Sequence, residues 1–118
     1  MRITAGSPPH LLFAALADPV RLRTVNLLRD GEMCVGDLVT CLQVPQPTAS
    51  RHLGALKSAG LITSRKQGYW TYYTLANGQH ALHKKLLECI DECRADKALA
   101  ADVKRAARLR AKGGCCPV

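Results

Sequence analysis

The stretch Gln46-Pro47-Thr48-Ala49-Ser50-Arg51-His52-Leu53-Gly54-Ala55-Leu56-Lys57-Ser58-Ala59-Gly60-Leu61-Ile62 decides the fold. Pro47 stands where the start of a helix has no use for its missing N–H, Leu53 and Leu56 are spaced to face a core, and Gly60 marks a stop. That arrangement leaves Gln46, Thr48, Ser50 and Arg51 on an outward leading edge. Gln and Arg can bond bidentately to base edges, and Thr and Ser can bind a base or a phosphate, so an edge of this composition suits a DNA major groove. Ordinary surface helices also begin with polar residues, and the neighbouring segments separate the two readings.

Downstream, Ser64-Arg65-Lys66-Gln67-Gly68-Tyr69-Trp70-Thr71-Tyr72-Tyr73-Thr74-Leu75 is rich in aromatic and β-branched residues, with a glycine soon after two basic residues. It predicts a two-stranded hairpin with a basic tip. A helix followed by such a hairpin is a winged helix: the helix enters the major groove and the wing reaches the backbone or the adjacent minor groove. The DNA-binding set is therefore Gln46, Thr48, Ser50, Arg51, His52, Arg65, Lys66 and Gln67. Among these, His52 also fits a structural role as a wedge beneath the helix, and the aromatic residues of the hairpin also fit simple packing.

A chain of 118 residues, 47% of them hydrophobic, holds one folded domain with a real core, and is small enough that a DNA target would be read by a dimer. The net charge of +8 favours a polyanionic partner such as nucleic acid. No apolar run is long enough to span a bilayer, and the run from Leu11 to Ala17 ends at Asp18 and Arg21 without a cleavage signature. The expectation is a cytoplasmic protein with no membrane partner. Six cysteines in that compartment point to thiols rather than structural disulfides, and so to metal, metalloid or redox chemistry.

Outward from the reading helix, residues 1–9 are expected to form a flexible arm. Leu11 to Leu16 forms a first apolar helix, and Asp18 caps a second that Pro19 begins. Leu22, Val25 and Leu28 give the second helix its buried stripe, and Asp30-Gly31 ends it. Val35, Leu38 and Leu42 are the stripe of a third helix. The turn Val44-Pro45-Gln46-Pro47 then completes a helix-turn-helix, so residues 11–75 carry the helix-turn-helix and wing. Residues 78–112 read as C-terminal dimerisation helices, with Leu82, Leu86, Cys89, Ile90 and Cys93 on one stripe that needs a partner surface. Residues 96–112 alternate alanine with charge, a strong helix former. Residues 113–118 are a cysteine-containing tail. The whole, 1–118, is a single mainly α winged helix-turn-helix domain with a two-stranded wing, expected to be a homodimer.

Through Phe13-Ala14-Ala15-Leu16-Ala17-Asp18-Pro19-Val20-Arg21-Leu22-Arg23, the Gln46 to Ile62 segment and the wing, the chain resembles the ArsR/SmtB family of metalloregulatory repressors over roughly residues 11–75. The resemblance implies a homodimer with paired terminal helices, bound to an imperfect inverted repeat in double-stranded operator DNA and released by an inducer. Three departures stand out. The arsenic-responsive branch commonly carries Cys-Val-Cys-Asp-Leu at the start of the third helix, whereas here Cys34-Val35-Gly36-Asp37-Leu38 lacks the second thiol. The zinc site of the family's last helix is unmatched, since Gln79-His80-Ala81-Leu82-His83 has no later His or Glu half. Many relatives have Ser where Pro45 stands, and proline supplies no side-chain cap.

The remaining thiols supply an alternative site. Cys89 and Cys93, four residues apart on a predicted helix, would share a face and hold one soft ion, while Cys115 and Cys116 are adjacent on a Gly-loosened segment. Trivalent arsenic or antimony takes three thiolates, so Cys89, Cys93, Cys115 and Cys116 are the expected metalloid ligands. Cys34 and Cys41 read more readily as a helix start and as core packing. On a straight helix from Cys93 to Lys112, Cys115 would lie ~30 Å from Cys93 at ~1.5 Å per residue. Either that helix breaks and folds back, or the segment crosses to the Cys89 and Cys93 of the mate. The expected function is a repressor that leaves its operator on binding As(III) or Sb(III), inorganic or methylated, with no organic cofactor and no enzymatic activity. A redox or persulfide sensor of the same fold is the first alternative. A thiol enzyme or metal carrier is the second, disfavoured because no acid/base constellation surrounds the thiols.

Overall fold

The computed structural model describes residues 8–76 and 81–114. Six helices and three strands follow in the order α1 (Pro9–Leu16), α2 (Pro19–Leu28), β1 (Met33–Cys34), α3 (Val35–Leu42), α4 (Gln46–Ser58), β2 (Ile62–Gln67), β3 (Trp70–Leu75), α5 (Ala81–Asp91) and α6 (Lys97–Ala111). No helix among the described residues is long and apolar enough to cross a membrane.

The helix punctuation works as the residue types require. Asp18 caps α2 by accepting from the Val20 and Arg21 N–H groups, with Pro19 in the first turn. Cys34 occupies the N-cap of α3, its sulfur accepting from the Asp37 N–H at 3.5 Å. Pro45 caps α4 without a side-chain bond, and its carbonyl accepts from the Ala49 N–H at 3.0 Å. The turn between α3 and α4 pivots on Gln43, a non-glycine residue at φ 58°.

Leu27, Leu38, Leu42, Leu53, Leu56, Leu61 and Ile62 are fully buried and form the centre of the core, where α2, α3 and α4 meet the base of the wing. Burying each such side chain stabilises the fold by about 1.5–3 kcal/mol before entropy is counted. The wing pairs β2 with β3 antiparallel from Ile62↔Leu75 to Gln67↔Trp70. Its tip is the two-residue turn Gly68-Tyr69, with Gly68 at φ 63°, a conformation that suits glycine.

Two features depart from the expected architecture. The wing is one part of a three-stranded sheet, β1-β3-β2, because Met33 and Cys34 pair with Tyr73 and Tyr72. The helical pattern read from residue 78 onward breaks at residues 92–95: α5 ends at Asp91, and Asp96 opens α6 by accepting from the Ala98 and Leu99 N–H groups, so that residues 97–111 form the helix their composition predicts. The helix therefore breaks, as one of the two alternatives required. It does not carry residues 111–114 back to Cys89, because α6 packs along α2 and α3.

Candidate nucleic-acid interface and cysteine cleft

The reading helix presents the edge that its residues dictate. Ala49, Leu53 and Leu56 are buried, Gln46, Ser50 and Arg51 are exposed, and Thr48 is half-buried at the boundary. His52 turns the other way. It is 7% exposed, its Nδ1 lies 3.3 Å from Arg21 Nη1 and 3.8 Å from Asp18 Oδ1, and Arg21 donates onward to the Ala15 carbonyl at 2.7 Å. Burial turns His52 away from the exposed edge formed by Gln46, Ser50 and Arg51, and its position links α4 to the junction of α1 and α2.

The wing divides its basic residues. Arg65 folds back onto Glu32 in a two-pronged pair, Nε to Oε2 at 2.8 Å and Nη2 to Oε1 at 2.7 Å, with its guanidinium 4.6 Å from the centre of the Tyr72 ring. Gln67 Oε1 accepts from Arg65 Nη1 at 2.7 Å, so both side chains are committed to the same network. The pairing holds Glu32 below its ordinary carboxylate range. Lys66 is exposed and makes no ion pair with any described residue. Tyr69 is fully exposed at the tip, so packing of the hairpin does not account for it. Its place in the turn after Gly68 was the signal that it points outward. Lys57 at the end of α4 donates to Ser64 Oγ at 2.8 Å and ties the helix to the first strand of the wing.

A helix offered to solvent beside a basic hairpin, and braced from beneath, gives the molecule the build of a winged-helix transcriptional regulator. Residues 18–64 match the family described as "Bacterial regulatory protein, arsR family". Over 106 residues the chain is 42% identical to the arsenical resistance operon repressor of Escherichia coli strain K12, covering 89% of this chain and 90% of that protein. Over 98 residues it is 37% identical to the arsenic resistance transcriptional regulator ArsR2 of Pseudomonas putida, covering 79% and 84%. Among solved structures, HlyU from Vibrio cholerae superposes with a TM-score of 0.66 at 30% identity, over 75% of this chain and 92% of that one. The repressor BigR from Xylella fastidiosa gives 0.63 at 29%, over 73% and 82%. The chain belongs to the ArsR family and is a DNA-binding transcriptional repressor, not an enzyme.

The cysteines fall into distinct settings. Cys41 is a free thiol buried in the core, and burial, with Asp37 and Asp102 nearby, pushes it up to about 11. Cys89 and Cys93 are free and exposed. They do not share a helix, because Cys93 lies in the turn beyond the end of α5, where its Sγ–H donates to the Cys89 carbonyl at 3.4 Å. Cys34 is disulfide-bonded, a departure from the expectation of thiols throughout. It lies in a cleft of about 340 Å³ with Glu32, Asp37, Arg65, Arg110, Gly113 and Gly114 on its walls. Cys115, Cys116 and His80 lie outside the described residues. Among the described residues, no group of three or more His, Cys, Asp or Glu side chains is placed to hold a metal ion.

Proposed function

We propose that the chain acts as a cytoplasmic homodimer on operator DNA and is released when As(III) or Sb(III) binds to cysteine thiolates. The observation that carries this reading is the placement of thiols outside the core. Cys89 and Cys93 are exposed and free, and Cys115 and Cys116 follow the last described residue in sequence. The expected donors are these four, since Cys34 and Cys41 are buried in the core. Soft thiolates select thiophilic ions over harder ones. The names of the Escherichia coli and Pseudomonas putida relatives, which refer to arsenical and arsenic resistance, support the same inducer class. For the dimer, the exposed Leu11 and Phe13 on α1 offer apolar surface that a second copy would cover.

A coupling of ~3 kcal/mol between inducer and DNA, at the top of the usual allosteric range, weakens operator binding about a hundredfold. The test is fluorescence anisotropy of labelled promoter DNA with the reduced protein, titrated with arsenite, antimonite, zinc, cadmium and a persulfide donor. Release by arsenite and antimonite supports the reading, and release by zinc alone or by nothing removes it. The disulfide at Cys34 favours one second reading, a redox or persulfide sensor, for which the persulfide donor alone would act.

A further inference from the structure

The third strand of the sheet decides where the arginine of the wing goes. Arg65 on β2 pairs across the ladder with Tyr72 on the central strand β3, and Tyr72 pairs in turn with Cys34 on β1. Directly paired residues point to the same face, so the Arg65 side chain lies over the Tyr72 ring and crosses β3 toward the start of β1. Glu32 stands there, one residue before Met33. Lys66, the next residue along β2, takes the opposite face and pairs with Thr71.

The hold on Arg65 is specific in geometry and exchangeable in strength. Nε and Nη2 donate to the two Glu32 oxygens and Nη1 donates to Gln67 Oε1, so each nitrogen of the guanidinium has an acceptor within the protein. Yet the Arg65 side chain is 48% exposed and that of Glu32 34%. An ion pair open to water is weak because solvent and salt screen it, and a duplex sets a row of phosphates against one carboxylate. Arg110 donates to the Gly31 carbonyl and shares a cleft with Glu32, which keeps a cation near the carboxylate when Arg65 departs.

We infer that Glu32 is a positioning residue for DNA binding: it withholds Arg65 in the free repressor, and a backbone phosphate takes the guanidinium over in the complex. Every chain that binds a duplex first gives up the Glu32 pair, so Glu32 lowers affinity through Arg65 without touching DNA itself. A phosphate contact carries no sequence information, and the loss is therefore the same on operator and on unrelated DNA. In a chain of net charge +8, a carboxylate placed in this way holds down the sequence-blind part of the affinity. The inference rests on the DNA-binding activity of the family and not on the inducer.

The test is fluorescence anisotropy of two labelled duplexes, one of promoter sequence and one unrelated, across a salt series. It compares full-length wild type with Glu32→Gln, Arg65→Ala and the double variant Glu32→Gln/Arg65→Ala. Both side chains are partly exposed and lie outside the core, so the variants keep the fold. Glu32→Gln is expected to bind both duplexes roughly two- to fivefold more tightly, the range an exposed ion pair supports. Arg65→Ala should bind both more weakly, with a logarithmic salt slope shallower by about 0.9, the share of one phosphate contact. In the double variant the gain from Glu32→Gln should vanish. A gain that survives there means that Glu32 repels DNA by its own charge. Weaker binding by Glu32→Gln means that the pair presents Arg65 to DNA instead of withholding it, and an unchanged slope in Arg65→Ala means that Arg65 never reaches a phosphate. Any one of these three results overturns the inference.

Discussion

The wholly buried Asp102 carboxylate accepts from Arg23 through both of its oxygens, each at 2.8 Å, joining the last helix to the second across 79 residues of sequence. Arg23 Nη2 also donates to the Leu42 carbonyl at 2.9 Å, and Arg105, paired with Asp102, donates to the Cys41 carbonyl at 2.8 Å. The two carbonyls are the orphan acceptors at the C-terminus of α3, immediately before the turn into α4. A cleft lined by Cys34 and Asp37 lies at the other end of α3, so this helix runs between that cleft and α4.

Asp102→Asn removes the charge on which both guanidiniums converge. Breaking a buried pair costs ~3–5 kcal/mol, and the partial exposure of Arg23 and Arg105 places the expected loss at the lower end. Urea unfolding should show a shifted midpoint with an unchanged slope, and a wild-type midpoint would show that the network does not hold α6 in place.

Arg51→Ala and Lys66→Ala should differ in kind. Arg51 is exposed on α4; if that face reads bases, its loss is expected to cost about 1–3 kcal/mol on the operator and far less on unrelated DNA. Lys66 on the wing should weaken both alike and reduce the salt slope by about one charge. Anisotropy titrations across a salt series read both quantities.

Thiol reactivity should sort the free cysteines by environment. With Cys41 pushed up to about 11 and sealed in the core, native reduced protein at pH 8 should lose Cys89 and Cys93 to an aromatic disulfide reagent within minutes. Cys41 should react only on unfolding. Fast modification of Cys41 in the native protein would contradict its burial.

Acid should weaken the fold in a defined direction. Asp91 is lowered by the Arg29 guanidinium, and Glu32 by Arg65; Asp18 is lowered by the backbone N–H groups of Arg21 and Val20 and by His52, which outweigh its desolvation. A carboxylate with a depressed native pKa contributes stability above its unfolded value, near 3.8 for Asp and 4.5 for Glu, and loses it as pH falls through the native value. Stability should be flat from pH 7 to about 5 and decline below, and Asp91→Asn with Glu32→Gln should flatten that decline.

Asn26 is fully buried in α2, and neither its amide nitrogen nor its oxygen has a hydrogen-bond partner in the structure. An unsatisfied buried polar group costs about 1–3 kcal/mol. Asn26→Leu, close in size, is expected to raise the melting temperature by several degrees in a thermal scan.

The helix starts and the exposed face of α4 were legible because each rests on local chemistry: Asp18 before Pro19, Pro47 in a first turn, and leucines at helical spacing. Other elements depend on distant partners. Two residues, Met33 and Cys34, are too few to show a strand period, and they pair only because Tyr72 and Tyr73 lie alongside. Residues 92–95 contain neither Pro nor Gly, so nothing in composition announced the break, which rests on Asp96 capping α6. Arg65 read as a phosphate ligand because Glu32, 33 residues earlier, is invisible to a local pattern. Cys34 was legible as a helix start. Its cleft was not, since that depends on which way α6 runs.

The seam between Asp102 and Arg23 also orders events during synthesis. The helix-turn-helix is translated by residue 58, but the Cys41 carbonyl finds Arg105, and Arg23 finds Asp102, only after residue 105 has emerged. A ribosome stalled anywhere in that interval holds a reading helix whose support is incomplete. Contacts this distant in sequence put the closing step late on the folding pathway.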